Sequence, residues 1–345
     1  MHYKLALLGF GNVGRALAQL LEKKKGELSH RYDITFSVTG IATGRHGRTV
    51  NTRGIDLAAS LASSEARLPV IVSRSYELPA FADSRTLIIA SSYSGNTEET
   101  LTAFQEAMKT GAKKLVMTTG GKLATMAGGS GVPVFLIEYQ APPRAALPFS
   151  LMPLIAFFQK LGFIAGKQAA LDETISTLNE LSLIIKETVP QTENPAKALA
   201  ARLHNHLPVV YGAGIAAEVA RRWKTQFNEN GKAWAFHEVF PELNHNAVVG
   251  YQFPQALASQ IAVVMLRSSW LNRRIRLRYE ITGELLTQAG VSHEIVDASG
   301  VSPLAQMMSL VLFGDYVSYY LALLYSTDPS PVEVIDFLKG RLAQE

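Results

Sequence analysis

The stretch that decides the fold is Ser91-Ser92-Tyr93-Ser94-Gly95-Asn96-Thr97-Glu98-Glu99-Thr100. It follows the apolar run of residues 86–90 and precedes apolar residues at 101, 104 and 108, an order that predicts a strand, a polar loop and a helix. The loop offers hydroxyl groups from Ser91, Ser92, Ser94 and Thr97, and Gly95 lets a ligand approach the backbone. Together with the unpaired amides of a helix N-terminus, these groups suit the binding of a phosphate.

Ordinary turn chemistry also accounts for Ser, Asn, Gly and Thr in such a place. Asn96, followed three residues later by Glu99, is predicted to cap the N-terminus of the helix. On composition alone, the loop is therefore either a phosphate site or a plain connection.

The composition is that of a globular protein with a hydrophobic core. The 345 residues are 48% hydrophobic and 18% charged, which suits one large domain or two medium ones. The sequence has no cysteine, which excludes disulfides, thiolate nucleophiles and cysteine-ligated metals. The apolar run of residues 5–8 is too short for a signal peptide or a membrane span, so we expect a cytoplasmic protein without a membrane segment.

The net charge of +4 is modest, and the basic residues gather only at 23–25 and 273–278. Neither cluster is interleaved with aromatic residues in the manner of a nucleic-acid interface. We therefore expect no nucleic-acid partner, and we interpret the clusters as solvated helix faces or a rim that attracts anions.

Glycines near the start of the chain follow the dinucleotide-binding spacing G-x-G-x-x-G, between a predicted strand and a predicted helix, at Gly9, Gly11 and Gly14. The next predicted strand, residues 34–42, should then end in an acidic residue that holds a ribose, but Arg45 follows instead. This favours a structural β-α-β unit that completes a parallel sheet. Residues 1–62 also resemble the start of homoserine dehydrogenases, so an NAD(P)-dependent dehydrogenase stays open as an alternative function.

Strands and helices alternate along the rest of the chain, which predicts an α/β fold with doubly wound parallel sheets and a ligand site at the carboxyl ends of the strands. Strands are predicted at 114–118, 132–137, 207–212 and 293–296, and helices over most of 146–188, at 303–325 and after Pro331. The polar stretch after Pro190 is a predicted boundary. The predicted domains are residues 1–67, 68–190 and 191–345.

From about residue 68 to the end, the chain resembles the bifunctional phosphoglucose/phosphomannose isomerases, whose domains are of the sugar isomerase (SIS) type. The resemblance rests on the string at 91–100 and on the strings at 224–232 and 239–246. It implies two SIS domains, the first preceded by the Rossmann-like unit, and a sugar phosphate held by Ser92, Ser94 and Thr97 with Ser91 beside them.

The same resemblance implies the reaction, which is the reversible conversion of glucose 6-phosphate and mannose 6-phosphate to fructose 6-phosphate through a cis-enediol. Glu229 matches the base that moves the proton between C1 and C2, and Arg144 matches the arginine near the enediolate. His245 matches a histidine that assists ring opening in the neighbouring subunit's site, which implies a homodimer with shared active sites. Lys339 matches the lysine that reaches the ring oxygen.

The resemblance implies no cofactor, and the sequence predicts no metal site, because His237, Glu238 and Glu242 lack the spacing of a metal-binding helix. Two departures from the family pattern stand out. The family's first glycine-serine loop is replaced by the glycines at 9, 11 and 14, and Ala247 stands where the family has an acidic residue. A module that binds a sugar phosphate without converting it is therefore a further alternative.

Overall fold

The computed structural model describes residues 2–8, 30, 35–42, 53–63, 65–342 and 344. The chain divides into two compact units. The first takes the chain up to Ile55 together with Ala62–Ile164, and the second takes Asp56–Leu61 together with Ala165–Glu345. The helix Gln168–Ile185 thus clusters with the second unit, whereas the predicted boundary lies at residue 190.

The opening strands of the first unit are β1 (His2–Leu8) and β2 (Thr35–Ala42), which pair in parallel. Parallel pairing is the arrangement expected of a β-α-β unit. Within the described residues these two strands form a sheet of their own instead of completing the larger sheet of the unit. The predicted dinucleotide-binding residues Gly9, Gly11 and Gly14 lie outside the described residues.

The main sheet of the first unit has the parallel order β3-β4-β5. Its elements are β3 (Leu87–Ser91), α2 (Glu98–Met108), β4 (Lys113–Thr118), α3 (Gly121–Gly129) and β5 (Val134–Leu136), followed by α4 (Leu147–Lys160). Phe104 and Ala107 of α2 and Leu123 and Ala127 of α3 are spaced by three or four residues, which places each pair on one helix face. Both faces are buried with Val116 in a single core.

The sheet of the second unit has the parallel order β7-β6-β8-β9. Its strands are β6 (Leu207–Gly212), β7 (Phe236–Val239), β8 (Ile261–Arg267) and β9 (Ser292–Asp297). Helix α1 (Arg53–Ser63) comes early in the chain, and its residues Asp56–Leu61 cluster with the second unit. The other helices of this unit are α5 (Gln168–Ile185), α6 (Pro195–Leu203), α7 (Ile215–Glu229), α8 (Gln255–Ala258), α9 (Arg273–Gln288), α10 (Pro303–Leu324) and α11 (Glu333–Leu342). The chain runs from β6 to β7 on one side and returns to β8 on the other, as in a doubly wound sheet.

Helix α10 is the central helix of the second unit, and α5, α6 and α7 pack against it. Its length and apolar composition would allow it to cross a membrane, but 61% of its most apolar window is buried inside the protein. The Trp223 indole of α7 donates a hydrogen bond of 2.8 Å to the Leu310 carbonyl. These contacts are those of a core helix.

Helix α1 connects the opening part of the chain to the second unit. Its Asp56 and Leu57, two of the residues that resemble homoserine dehydrogenases, are 3% and 1% exposed. The Asp56 carboxylate pairs with the Arg221 guanidinium of α7, which in turn pairs with Glu218 at 2.7 Å. A buried carboxylate requires such a partner, so this part of α1 is integrated into the second unit.

Candidate active site

The predicted phosphate-binding residues of the first unit lie together in the serine loop, which we define as residues 91–97 between β3 and α2. The hydroxyls of Ser92 and Thr97 share a hydrogen bond of 2.8 Å, and Ser92 Oγ accepts a further bond of 3.1 Å from the Gly95 amide. Ser91 and Ser92 are buried, whereas Ser94 is exposed and its hydroxyl accepts from the Asn96 amide at 3.3 Å. The structure thus collects these hydroxyls at the carboxyl end of one strand.

A second loop, residues 118–122, supports the serine loop. The Tyr93 carbonyl accepts from the Thr119 amide at 2.9 Å and from its hydroxyl at 2.7 Å. Gly95 has a φ of +67°, and a Cβ there would lie 1.8 Å from the Gly120 carbonyl oxygen. Only glycine fits this close approach, which fixes the shape of the serine loop.

The predicted capping by Asn96 is wrong. The N-cap residue of α2 is Thr97, and its side chain makes no capping hydrogen bond. The Asn96 side chain instead accepts from the Lys122 amide at 3.1 Å, at the start of α3. The Asn96 side-chain oxygen is therefore used in a tertiary contact and not in the cap of α2 that the local sequence pattern predicts.

Arg144 lies in the arginine segment, which we define as residues 139–146 between β5 and α4. Its side chain is only 7% exposed, and burial lowers the pKa of the guanidinium from its ordinary value. Arginine stays protonated in proteins, so a fixed positive charge is held in the first unit. The turn around it closes through a hydrogen bond of 2.8 Å from the Ala145 amide to the Pro142 carbonyl.

Glu229 is the last residue of α7 and is half-buried. The turn that follows it is held by side chains: Asn228 Nδ2 donates to the Ala233 carbonyl at 2.8 Å, and Asn230 Nδ2 donates to Ser318 Oγ at 3.0 Å. Lys232 Nζ donates to the Glu229 carbonyl at 2.7 Å. The position of Glu229 is therefore fixed by contacts on both sides of the turn.

Lys232 also links this turn to the chain that leads into α11. Its Nζ donates to the carbonyls of Pro329, at 3.4 Å, and of Pro331. Lys339 follows in α11, where it is exposed and no residue of the helix is buried. The structure thus brings residues 329–331, which lead into α11, to the turn of Glu229.

His245 ends a 3-10 helix, Glu242–His245, and is exposed. Its neighbour Asn244 is held by α9, because Asn244 Nδ2 donates to Thr282 Oγ1 at 2.9 Å and Asn244 Oδ1 accepts from Arg278 at 3.1 Å. His245 follows the carboxyl end of β7, whereas Glu229 precedes the beginning of β7. Within one chain, Glu229 and His245 therefore lie at opposite edges of the sheet of the second unit.

Comparison with known proteins assigns the chain to a family. Residues 192–342 match the family described as the bacterial phospho-glucose isomerase C-terminal SIS domain. A bifunctional phosphoglucose/phosphomannose isomerase of Caldicellulosiruptor bescii is 43% identical over 305 residues, which cover 88% of this chain and 89% of that protein. The chain belongs to the bifunctional phosphoglucose/phosphomannose isomerase family.

Further relatives agree with this assignment. A second member of the isomerase family, from Aquifex aeolicus, is 34% identical over 274 residues, 79% of this chain and 81% of that protein. The C-terminal domain of glucosamine-fructose-6-phosphate aminotransferase from Francisella tularensis has a TM-score of 0.64 at 14% identity and covers 82% of this chain and 84% of its own. The predicted α/β SIS fold and the prediction of a sugar-phosphate isomerase are confirmed. None of these relatives is a dehydrogenase, and that alternative is not supported.

Two side chains of this isomerase family member hold the candidate site although no sequence pattern singles them out. They are Tyr93, which stands between two serines, and Lys232, which ends the string at 224–232. Both bind backbone groups far along the chain, 46 residues away for Tyr93 and 99 for Lys232. Such partners leave no local pattern in a sequence. In the part of the chain that the structure describes, no group of three or more His, Asp or Glu residues could hold a metal ion.

Proposed function

We propose that the chain interconverts glucose 6-phosphate and mannose 6-phosphate with fructose 6-phosphate through a cis-enediol intermediate. The observation that carries the proposal is the serine loop, whose hydroxyls converge at a strand end in a chain that is 43% identical to a bifunctional phosphoglucose/phosphomannose isomerase. The two aldose epimers differ only at C2 and give the same planar enediol. One base serves both epimers when rotation about the C2–C3 bond turns either face of C2 towards it.

The serine loop binds the phosphate of the substrate. A hydroxyl carries one donor and can accept two hydrogen bonds. The Ser92–Thr97 contact uses one of the pair's two O–H groups, so the other remains to donate to a phosphate oxygen. The exposed Ser94 hydroxyl supplies a second donor, and Ser91 lines the base of the loop.

Glu229 is the base in this proposal. It takes the proton from C2 of the aldose and returns it to C1 of the enediol, and it does the reverse from the ketose. Arg144 stabilises the negative charge that develops on the enediolate oxygens, for which a buried fixed cation is well suited. Lys339 donates to the ring oxygen as the ring opens.

The proposed enzyme is a homodimer with shared active sites. Glu229 and His245 lie at opposite edges of one sheet, and α7, which runs from one of these edges to the other, has 15 residues and a length of about 22 Å at 1.5 Å per residue. One imidazole and one carboxylate that far apart cannot act on the same sugar carbon chain. This supports a partner subunit that brings its His245 to the site of Glu229, as the resemblance implies.

An isomerase assay on both sugar phosphates tests the proposal. The wild-type protein should convert fructose 6-phosphate to glucose 6-phosphate and mannose 6-phosphate, and Glu229→Gln should lower kcat by about 10²–10⁴-fold, the usual contribution of a general base. The matched control is Glu284→Gln, an exposed residue of α9 that should keep the wild-type rate. Equal rates in wild type and Glu229→Gln would contradict the role of Glu229.

The same assay separates catalysis from simple binding. If fructose 6-phosphate raises the melting temperature of the wild-type protein but no aldose appears, the chain is a sugar-phosphate-binding module and the proposed isomerisation is wrong. If the melting temperature rises and both aldoses appear, the binding and catalytic parts of the proposal both stand.

A further inference from the structure

The Tyr93 side chain leaves the serine loop and binds the arginine segment. Its hydroxyl donates to the Tyr139 carbonyl and accepts from the Ala141 amide at 3.1 Å. Tyr93 stands between Ser92 and Ser94, and Ala141 stands three residues before Arg144. A single phenol therefore joins the two segments that are proposed to hold the phosphate and the enediolate.

Two further contacts, in addition to these hydrogen bonds, hold the arginine segment in place. The Tyr139 ring stacks on the Phe149 ring of α4, with centroids 4.0 Å apart and an angle of 11° between the planes. The turn 142–145 closes through its own backbone hydrogen bond. A displacement at residues 139–141 is therefore passed along the chain to Arg144 instead of being absorbed by a flexible loop.

We propose that Tyr93 is a positioning residue that sets the distance between Arg144 and the phosphate held by the serine loop. Tyr93 does not touch the substrate in this proposal, because its hydroxyl is occupied by two backbone groups. The inference rests on the proposed function and deepens it. It assigns to one tyrosine the alignment of the oxyanion charge with the anchored end of the substrate.

Tyr93→Phe is the decisive variant, because phenylalanine keeps the ring and removes only the hydroxyl. The contacts of the serine loop itself, between Ser92, Thr97 and Gly95, stay intact. We therefore expect KM and inhibition by inorganic phosphate to remain within about twofold of wild type, while kcat falls about 10- to 100-fold, as for a small misplacement of a catalytic group. The control is Tyr319→Phe in α10, which removes a hydroxyl outside these two segments.

A double-mutant cycle distinguishes positioning from a merely structural role. If Tyr93 acts through Arg144, Tyr93→Phe should change kcat by less than about twofold in an Arg144→Lys background, because the aligned group is already gone. Three results would overturn the inference: an unchanged kcat in Tyr93→Phe, an equal loss in both backgrounds, or a parallel loss of phosphate inhibition. A wild-type protein that isomerises neither sugar phosphate would instead overturn the proposed function, so the two failures are distinguishable.

Discussion

At the scale of single residues, the protein controls ionisation by burial. His237 lies on β7 beside Val210 of β6. Burial is the main cause that lowers the pKa of His237 to about 4; the charges of Arg221 and Lys224 contribute to the lowering, and Glu218 opposes it. His237 is therefore neutral near pH 7.

This depressed pKa predicts a loss of stability in acid. The histidine pKa is near 6.5 in the unfolded chain, so as the pH falls below this value the unfolded chain binds a proton that the folded chain does not bind. The stability from neutral His237 is complete above pH 6.5 and is lost as the pH falls towards 4. Between pH 7.5 and pH 5, the wild-type free energy of unfolding should fall by about 2 kcal/mol through this residue.

Urea unfolding at the two pH values measures this loss. The His237→Asn variant should lose about 2 kcal/mol less than wild type over this interval, whatever its own stability at pH 7.5. Identical pH slopes in wild type and His237→Asn would show that His237 is not held neutral by the fold.

At the scale of elements, close packing of α7 and α10 requires a glycine. A Cβ at Gly314 of α10 would lie 2.2 Å from the Trp223 Nε1 atom. The indole is 1% exposed and is held by its hydrogen bond to the Leu310 carbonyl, so it cannot move aside without losing that bond. The helices meet where one of them has no side chain.

Gly314→Ala should therefore destabilise the protein by about 1–3 kcal/mol, the usual cost of overpacking a core. Urea unfolding monitored by tryptophan fluorescence gives the change directly. Gly340→Ala in α11 is the matched control, because its Cβ would meet nothing within 4 Å and alanine is the better helix former by up to about 1 kcal/mol. A destabilisation of the same size in both variants would mean that the Trp223 contact is not the cause.

The elements that could be predicted from the sequence are those with a long repeating pattern. The apolar helix predicted at 303–325 is α10, Pro303–Leu324, and the strand predicted at 114–118 is β4, Lys113–Thr118. Burial on one or both faces produces a hydrophobic pattern that is visible in the residues themselves. The cap of α2 could not be predicted in the same way, because Asn96 is bound by Lys122 in another element.

In the candidate site, too, some contacts could be predicted from the sequence and others could not. Ser91, Ser92, Ser94 and Thr97 are neighbours in sequence, so the sequence shows that their hydroxyls are close. The links made by Tyr93 and Lys232 join segments that are distant in sequence and end on carbonyl or amide groups that every residue possesses. No pattern of residue types marks such a partner, and only the three-dimensional structure identifies it.

At the scale of the whole molecule, the position of His245 bears on the number of subunits. In a doubly wound sheet, the end of a helix and the loop after the next strand lie at opposite edges. Glu229 ends α7, and His245 lies after β7. Under the proposed function, a site that needs both groups is therefore incomplete in one chain, and a symmetric pair of chains would contain two equivalent complete sites.

Mixing two inactive variants tests this arrangement. Glu229→Gln and His245→Ala should each abolish most isomerase activity, since every site in the pure homodimers lacks one group. When the two proteins are unfolded together and refolded at equal concentration, about half of the dimers contain one chain of each kind. One of the two sites in such a dimer has both wild-type groups, so the mixture should recover about a quarter of the wild-type activity. If both groups instead acted within one chain, every site would keep a defect and the mixture would stay as inactive as its components, even where light scattering shows a dimer.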